Sequence, residues 1–121
     1  MSSQVQAPYV PARADVWLVN FNPTLGHEQA GIRPAVILST TQFNQGPAQL
    51  AVVVPMTKTY RGIPIHIEVP PPEGGVRQVS YAMCDQIRTV STSHRLVTRW
   101  GAVGTGIMTQ IEYAVKVVLA L

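Results

Sequence analysis

The chain has 121 residues and a mass of 13.2 kDa, which is enough for one compact domain and too little for two. Hydrophobic residues make up 46% of the sequence and charged residues 12%, a composition that excludes a disordered chain and predicts a buried core. Nine Lys and Arg against six Asp and Glu leave a formal net charge of +3, which permits an anionic partner without requiring one.

Several classes of protein are excluded by simple counts. The single cysteine, Cys84, rules out an intrachain disulfide and any zinc site built from several cysteines. The three histidines show no metal-ligand spacing, so we expect no metal and no cofactor. No apolar run approaches the roughly 20 residues of a membrane-spanning helix, and the first eight residues lack the features of a signal peptide. The sequence therefore predicts a cytoplasmic protein that does not bind a membrane.

The predicted elements begin with a flexible tail over residues 1–13, followed by a single domain over residues 14–121. Apolar, β-branched segments predict buried strands at residues 15–21, 34–39 and 50–54, the first of them apolar on both faces. Turn-forming and polar residues separate these segments, as expected for loops between strands.

The clearest alternation of apolar and polar residues lies in residues 63–69. Pro64 indicates that this strand lies at a sheet edge, and His66 is expected on its exposed polar face. A further strand, bent in the middle, is predicted within residues 79–90. The last segment is predicted to be a helix whose apolar face comprises Met108, Ile111, Val115, Val118 and Leu119, with a capping box from Thr109 to Glu112. About five strands followed by one C-terminal helix suit a small β fold.

Two loops carry candidate chemistry. The first, residues 26–34, contains a potential base, a carboxylate, an amide and a guanidinium in His27, Glu28, Gln29 and Arg33. An ordinary solvated loop, with a weak surface pair between Glu28 and Arg33, is the alternative interpretation.

The second loop, residues 55–62, follows a buried strand and contains Thr57, Lys58, Tyr60 and Arg61. Hydroxyls, cations and an aromatic ring at the end of a strand suit a phosphate and a stacked base. The alternative is a hairpin connection whose two cations keep the sheet edge soluble.

Other polar residues have equally open interpretations. Asp85 interrupts an apolar strand, where its carboxylate either binds backbone donors at a bend or belongs to a site. Cys84 is interpreted as a small core residue. Four arginines form either a basic strip or a solvated face: Arg77, Arg88, Arg95 and Arg99.

Taken together, several blocks closely resemble the MazF/PemK-type toxins. They are Asp15-Val16-Trp17-Leu18-Val19, Asn22-Pro23-Thr24, Gly26-His27-Glu28-Gln29, Arg33-Pro34-Ala35-Val36-Ile37-Leu38-Ser39, Val53-Val54-Pro55-Met56-Thr57 and Cys84-Asp85-Gln86-Ile87-Arg88-Thr89. The ordered blocks at fitting separations make this resemblance specific, and it covers nearly the whole chain outside the tail.

The resemblance implies a mainly β fold with short helices, an SH3-like small β-barrel of the CcdB/PemK kind with a C-terminal α-helix. It also implies a homodimer that acts as a sequence-specific, metal-independent endoribonuclease on single-stranded RNA and inhibits translation and growth. Such a toxin would be the partner of a cognate antitoxin whose partly disordered tail covers the RNA groove.

The resemblance assigns Arg33 and Thr57 to the catalytic positions of the family. His27, Glu28 and Asp85 match positions that are implicated in some members. Contacts to RNA are expected from the neighbouring loop residues Leu25, Gln29, Lys58, Tyr60, Arg61, Gln86 and Arg88. The chain departs from the family at Met83, where some relatives carry an arginine near the scissile phosphate.

The chemistry of metal-free RNA cleavage fits these residues. The 2′-OH of RNA supplies the nucleophile, and the products carry a 2′,3′-cyclic phosphate and a 5′-OH. Arg33 suits charge stabilisation, Thr57 suits hydrogen bonding to a non-bridging oxygen, and either Glu28 or His27 would be the base.

Two other functions remain open from the sequence. The same fold includes a toxin that cuts nothing and binds a protein target such as DNA gyrase, and SH3-like folds also serve as peptide-binding modules. A second apolar stripe on the helix, formed by Tyr113, Val117 and Ala120, contacts either a second copy of the chain or a covering loop.

Overall fold

A computed structural model describes residues 10–23 and 31–121 of the chain. In these residues the elements are β1 (Asp15–Asn20), β2 (Ile32–Ile37), α1 (Thr41–Asn44), β3 (Leu50–Thr57), β4 (His66–Val69), a 3₁₀ turn (Glu73–Gly75), β5 (Ser80–Met83), β6 (Arg88–Ser91), β7 (Leu96–Ala102) and α2 (Thr105–Leu119). The prediction of a mainly β fold with a C-terminal helix is confirmed.

All strand pairs are antiparallel, and the order across the sheet is β4-β5-β3-β2-β1-β7, with β6 also pairing with β3. Within residues 10–23 and 31–121 the sheet is not closed, since its path ends at β4 on one side and at β7 on the other. The described residues form seven strands where about five were expected. The strand that the sequence did not reveal is β7, a largely exposed edge strand whose side chains lack an alternating apolar pattern.

Most predicted strands are confirmed with shifted ends. β3 continues through Pro55 to Thr57, and the edge strand β4 begins at His66 because residues 64–65 form a turn closed by a hydrogen bond from His66 N to Ile63 O (2.9 Å). The predicted bent strand is present as β5 and β6, which both pair with β3 on either side of a turn at residues 84–87.

The three central strands are buried on both faces, as the composition of β1 predicted. Alternate residues of these strands pack into two separate clusters. One cluster lies beneath α2 and includes Val16, Val36, Val54, Met56 and Ile111. The other lies on the opposite face and includes Trp17, Val19, Phe21, Ala35 and Val53.

Helix α2 begins four residues earlier than the predicted capping box. Its first backbone N–H groups need an acceptor, and the carboxylate of Glu73 accepts a hydrogen bond from Gly104 N at 2.7 Å. Thr109 instead donates its hydroxyl to the Thr105 carbonyl within the helix. Met108, Ile111 and Val115 are buried as predicted, whereas Val118 and Leu119 are exposed.

Residues immediately before β1 are held against the domain. Pro11 is buried, and its carbonyl accepts a hydrogen bond from Asn44 Nδ2 at 2.7 Å. Arg13 donates to the Leu38 carbonyl and pairs with Glu112 of α2. Residues 11–13 thus link the segment after β2 to the C-terminal helix.

Close backbone packing joins the 3₁₀ turn to β1 and β7. A Cβ atom on Gly74 would lie 2.5 Å from Val16 Cγ2, and one on Gly75 would lie 2.5 Å from the Trp100 carbonyl oxygen. Both glycines also have φ values, +63° and +77°, that other residues adopt only at a cost. Gly101 of β7 faces the same turn, since its Cβ would lie 3.0 Å from Gly74 C.

We expect Gly75→Ala to destabilise the protein by at least about 2 kcal/mol, because the substitution combines a positive φ with a backbone clash. Gly106→Ala is the matched control: a Cβ there meets nothing within 4 Å, and alanine in a helix is favoured over glycine by up to about 1 kcal/mol. Urea unfolding measures both. Equal stability of Gly75→Ala and the unmodified protein would contradict the packing described.

Candidate functional site: a basic cavity at the end of β2 and β3

The register between β2 and β3 brings the two predicted catalytic residues together. Ala35 pairs with Pro55 and Val36 with Val54. Continuing this antiparallel register by two residues places Arg33 level with Thr57, and residues that are level in this way share a face of the sheet. Arg33 is half-buried, and the hydroxyl-bearing Thr57 is only 5% exposed.

A cavity of about 460 Å³ opens where these two strands end. We name it the Arg33 cavity; its lining comprises Leu18, Gly31, Ile32, Arg33, Pro34, Met56, Thr57, Lys58, Thr59, Ser80 and Trp100. It therefore combines a guanidinium, an ammonium group and hydroxyls, with no carboxylate among the described lining residues. Such a set of donors suits a bound anion.

The hydrogen bonding of Thr57 leaves it as a donor toward this cavity. Its Oγ1 accepts a hydrogen bond from the backbone N–H of Thr59 at 3.2 Å. A hydroxyl whose oxygen is already used as an acceptor still has its proton to donate. Thr57 is thus oriented by its own loop and can donate to an oxygen atom of a ligand.

The loop after Thr57 contributes exposed groups at the cavity. Lys58 lines the cavity and is exposed. Tyr60 is 73% exposed, and its ring centroid lies 5.5 Å from that of Tyr81, which pairs with Thr57 across the sheet. Arg61 is also exposed but does not line the cavity.

Asp85 lies in a different environment from Arg33 and Thr57. Its Oδ1 is 2.9 Å from His66 Nε2, and it does not line the Arg33 cavity. The expectation that His66 is exposed is wrong, because its side chain is only 3% exposed beside the turn that carries Asp85. His66 Nδ1 is buried and has no hydrogen-bond partner in the described part of the chain.

Gln86 and Arg88 follow Asp85 and also lie outside the Arg33 cavity. The Gln86 N–H donates to the Met83 carbonyl at 2.9 Å, which closes the turn between β5 and β6. Arg88 pairs with Val53 of β3, and its guanidinium lies 5.1 Å from the centre of the Phe21 ring. This cation–π contact holds the charge against the second core cluster.

Four predicted site residues, Leu25, His27, Glu28 and Gln29, lie outside the residues that the structure describes. Among the described residues, no three His, Cys, Asp or Glu side chains come together as metal ligands. Within the same residues, no helix has the length and apolar character needed to cross a bilayer.

Sequence reasoning missed Trp100 and Ser80, which line the Arg33 cavity and also a second cavity beside it. The second cavity has a volume of about 540 Å³, and we name it the Trp100 cleft; its lining comprises Pro34, Lys58, Gly75, Val76, Arg77, Gln78, Ser80, Arg99 and Trp100. Two arginines of the suspected basic strip, Arg77 and Arg99, thus share one cleft. Trp100 was missed because its strand, β7, carried no recognisable pattern.

Comparison with known proteins defines the class to which this fold and site belong. A model of PemK-like, MazF-like toxins of type II toxin-antitoxin systems matches residues 12–119. The chain belongs to this toxin family, which confirms the resemblance seen in its sequence.

Individual relatives agree with this assignment. The chain is 32% identical over 111 residues to the endoribonuclease toxin MazF of Escherichia coli K12, covering 92% of this chain and 96% of that protein. The crystal structure of MazF from Deinococcus radiodurans superposes with a TM-score of 0.84 at 27% identity, covering 94% of this chain and all of that one. A MazE-MazF crystal structure from the same bacterium superposes with a TM-score of 0.77 at 27% identity, covering 94% and 99% of the two chains.

Cys84 adjoins Asp85 but is buried, as expected for a core residue. Burial, and to a lesser extent the neighbouring Asp85 carboxylate, raise the pKa of its thiol from an ordinary value of 9.0 to about 12. The folded protein therefore keeps a neutral thiol at pH values where the unfolded chain carries a thiolate.

We expect this difference to lower stability as the pH rises from 9 toward 12, since the unfolded state then binds fewer protons than the folded state. The loss approaches about 1.4 kcal/mol per pH unit. Urea unfolding between pH 8 and pH 11 measures it, with Cys84→Ala as the reference, because all other titrating groups are shared. If the free energies of unfolding of the two proteins changed in parallel with pH, the raised pKa of Cys84 would be refuted.

Proposed function

We propose that this chain is an endoribonuclease toxin that cleaves single-stranded RNA at specific sequences without a metal ion. The observation that carries the proposal is the placement of Arg33 and Thr57 in one cavity that presents donors to an anion. Its family membership and the endoribonuclease named among its relatives support the same conclusion. Attack of the 2′-OH on the adjacent phosphorus forms a 2′,3′-cyclic phosphate and breaks the bond from phosphorus to the 5′ oxygen. The 5′ oxygen takes a proton from water and leaves as a 5′-OH.

Arg33 stabilises the negative charge that builds on the phosphoryl oxygens during this attack. A guanidinium offers planar, paired N–H donors that match two oxygens of a phosphate. The half-buried position of Arg33 strengthens this attraction relative to that of a fully solvated cation. The same group holds its own protons too tightly to be an effective base.

Thr57 donates a second hydrogen bond, to a non-bridging phosphoryl oxygen. Its hydroxyl is nearly buried, and the Thr59 N–H already occupies its oxygen as an acceptor. Such a pre-oriented donor needs no rearrangement when the charge develops, which is the condition under which electrostatic stabilisation is largest.

The proton of the 2′-OH passes to Glu28 or His27, which precede Gly31 of the cavity lining by a few residues in the sequence. A carboxylate or an imidazole suits this task near neutral pH. Asp85 stays a further catalytic candidate; its carboxylate pairs with His66 Nε2 and does not line the Arg33 cavity.

Single-stranded RNA is the favoured substrate, since unpaired bases can be splayed out and stacked on aromatic rings. Tyr60 is exposed enough to serve as such a ring, and Lys58 and Arg61 attract the phosphates. Leu25, Gln29, Gln86 and Arg88 complete the proposed RNA contacts.

The proposed partners are a cognate antitoxin and a second copy of the chain. The MazE-MazF structure of Deinococcus radiodurans supports an antitoxin partner. Tyr113 and Val117 of α2 are exposed and border an apolar groove of about 580 Å³ between α2 and β4, which supports a homodimer. The protein acts in the cytoplasm, where messenger RNA is translated.

We expect the purified protein, freed of antitoxin, to cut a mixed-sequence single-stranded RNA in EDTA at one recurrent sequence. Arg33→Ala should abolish the cuts, because the guanidinium that stabilises the charge on the phosphoryl oxygens is lost. Thr57→Val keeps the side-chain shape without the hydroxyl and should lower the rate about 10²- to 10³-fold, whereas Thr57→Ser should retain most of it. End mapping on a sequencing gel, with cyclic-phosphate detection, provides the measurement.

Lys116→Ala, which removes an exposed cation on α2, is the control for a general loss of positive charge. Near-normal cleavage by Arg33→Ala would refute the role given to that residue. Absence of any cutting across diverse RNA by the folded protein would instead favour a toxin of the same fold that binds a protein target.

A further inference from the structure

The Trp100 cleft carries positive charge that the residues around it do not neutralise. Lys58 and Arg77 both line it, and neither makes a hydrogen bond or ion pair with another residue in the described portion of the chain. Arg99 is different, because its Nε donates to the buried Asp15 carboxylate at 3.1 Å. No carboxylate is among the described residues that line the cleft.

Trp100 gives the same cleft a rigid aromatic surface. The residue is 41% exposed, although burial of so large an apolar side chain would be favourable. Its backbone is held by the close approach of Gly75, whose Cβ position lies 2.5 Å from the Trp100 carbonyl oxygen. The backbone that carries the indole is therefore closely packed against the 3₁₀ turn.

The Trp100 cleft adjoins the Arg33 cavity. Four residues line both spaces: Pro34, Lys58, Ser80 and Trp100. A polynucleotide whose scissile phosphate lies between Arg33 and Thr57 thus has an adjoining basic channel within reach of its next nucleotide. An aromatic ring beside cations that follow the backbone is the arrangement by which proteins hold single strands.

We propose that the Trp100 cleft is a subsite for the nucleotide that flanks the scissile bond, with its base stacked on Trp100 and its phosphate held by Arg77. This inference rests on the proposed function, since it assumes that RNA occupies the Arg33 cavity. Lys58 lies in both spaces and contacts the phosphate between them. The cleft thereby extends the length of RNA that the enzyme engages.

Two arms test the subsite with an oligonucleotide that contains the mapped cleavage sequence. In the first arm, kcat/KM is measured on the full oligonucleotide and on versions shortened from either end to the cleaved dinucleotide. Arg77→Ala and Trp100→Leu should lower kcat/KM about 10-fold or more on the full RNA. On the dinucleotide Arg77→Ala should match the unmodified protein, because Arg77 lines the Trp100 cleft and not the Arg33 cavity. The end of the RNA whose removal cancels the effect of Arg77→Ala identifies the flanking side.

In the second arm, binding of a long single-stranded RNA of mixed sequence is measured against salt concentration, which requires no cleavage. Arg77→Ala should reduce the slope of log K against log [salt] by about 0.7, the value for one phosphate contact on a single strand. Trp100→Leu should weaken binding without changing the slope. Lys116→Ala and Phe43→Ala, an exposed cation and an exposed aromatic residue outside the cleft, should leave binding unchanged.

The outcomes separate failure of the subsite from failure of the proposed function. If Arg77→Ala lowers kcat/KM equally on the dinucleotide and the full RNA, or on neither, the subsite is overturned. Cleavage by the unmodified protein would still support the proposed function. If the unmodified protein cuts no RNA, the binding arm still decides, and unaltered RNA binding by both variants overturns the subsite. Variants that weaken antitoxin inhibition but neither RNA cleavage nor RNA binding would overturn it too, in favour of a protein-binding cleft. Circular dichroism and Tm verify that each variant is folded.

Discussion

The antiparallel register between β2 and β3 is the constraint on which the site depends. Both strands are buried on both faces. A shift of their register by one residue would therefore move each buried side chain of β2 into the opposite core cluster. The same pairing that separates Ala35 from Val36 also sets Arg33 level with Thr57, two residues beyond the last paired positions. The strand pairing that buries the core therefore also positions the proposed catalytic pair.

A second set of contacts fixes β7, the strand that carries Trp100, against the rest of the domain. The buried carboxylate of Asp15 accepts hydrogen bonds from Ala12 N (2.9 Å), Trp17 Nε1 (3.1 Å) and Arg99 Nε (3.1 Å), so that it joins the N-terminal segment, β1 and β7. A buried carboxylate is tolerated only with such compensation, and removing one partner leaves the charge unpaired. The glycines of the 3₁₀ turn add to this packing, because their missing side chains allow the turn to lie directly on β7 beside Trp100.

The remaining polar groups divide between structural and chemical tasks. His66 and Asp85 pair at the edge strand, and Arg88 lies over Phe21, so residues that the family resemblance placed near the RNA are partly engaged in holding the turn between β5 and β6. Arg33, Thr57 and Lys58 all line one cavity. Rigid strand ends thus carry the proposed chemistry, while the exposed loop with Tyr60 and Arg61 is left for recognition.

The sequence by itself determined the mainly β class, the doubly buried central strands, the C-terminal helix and the family, because apolar periodicity and ordered motifs are local properties of the chain. It also pointed to Arg33 and Thr57 through those motifs. Only the tertiary structure decided which polar residues meet: that Asp85 pairs with a buried His66, that Glu73 caps α2, and that Trp100 and Arg77 share a cleft. These contacts join residues far apart in sequence through strand register and backbone packing, and β7 in particular has no local pattern that would reveal it.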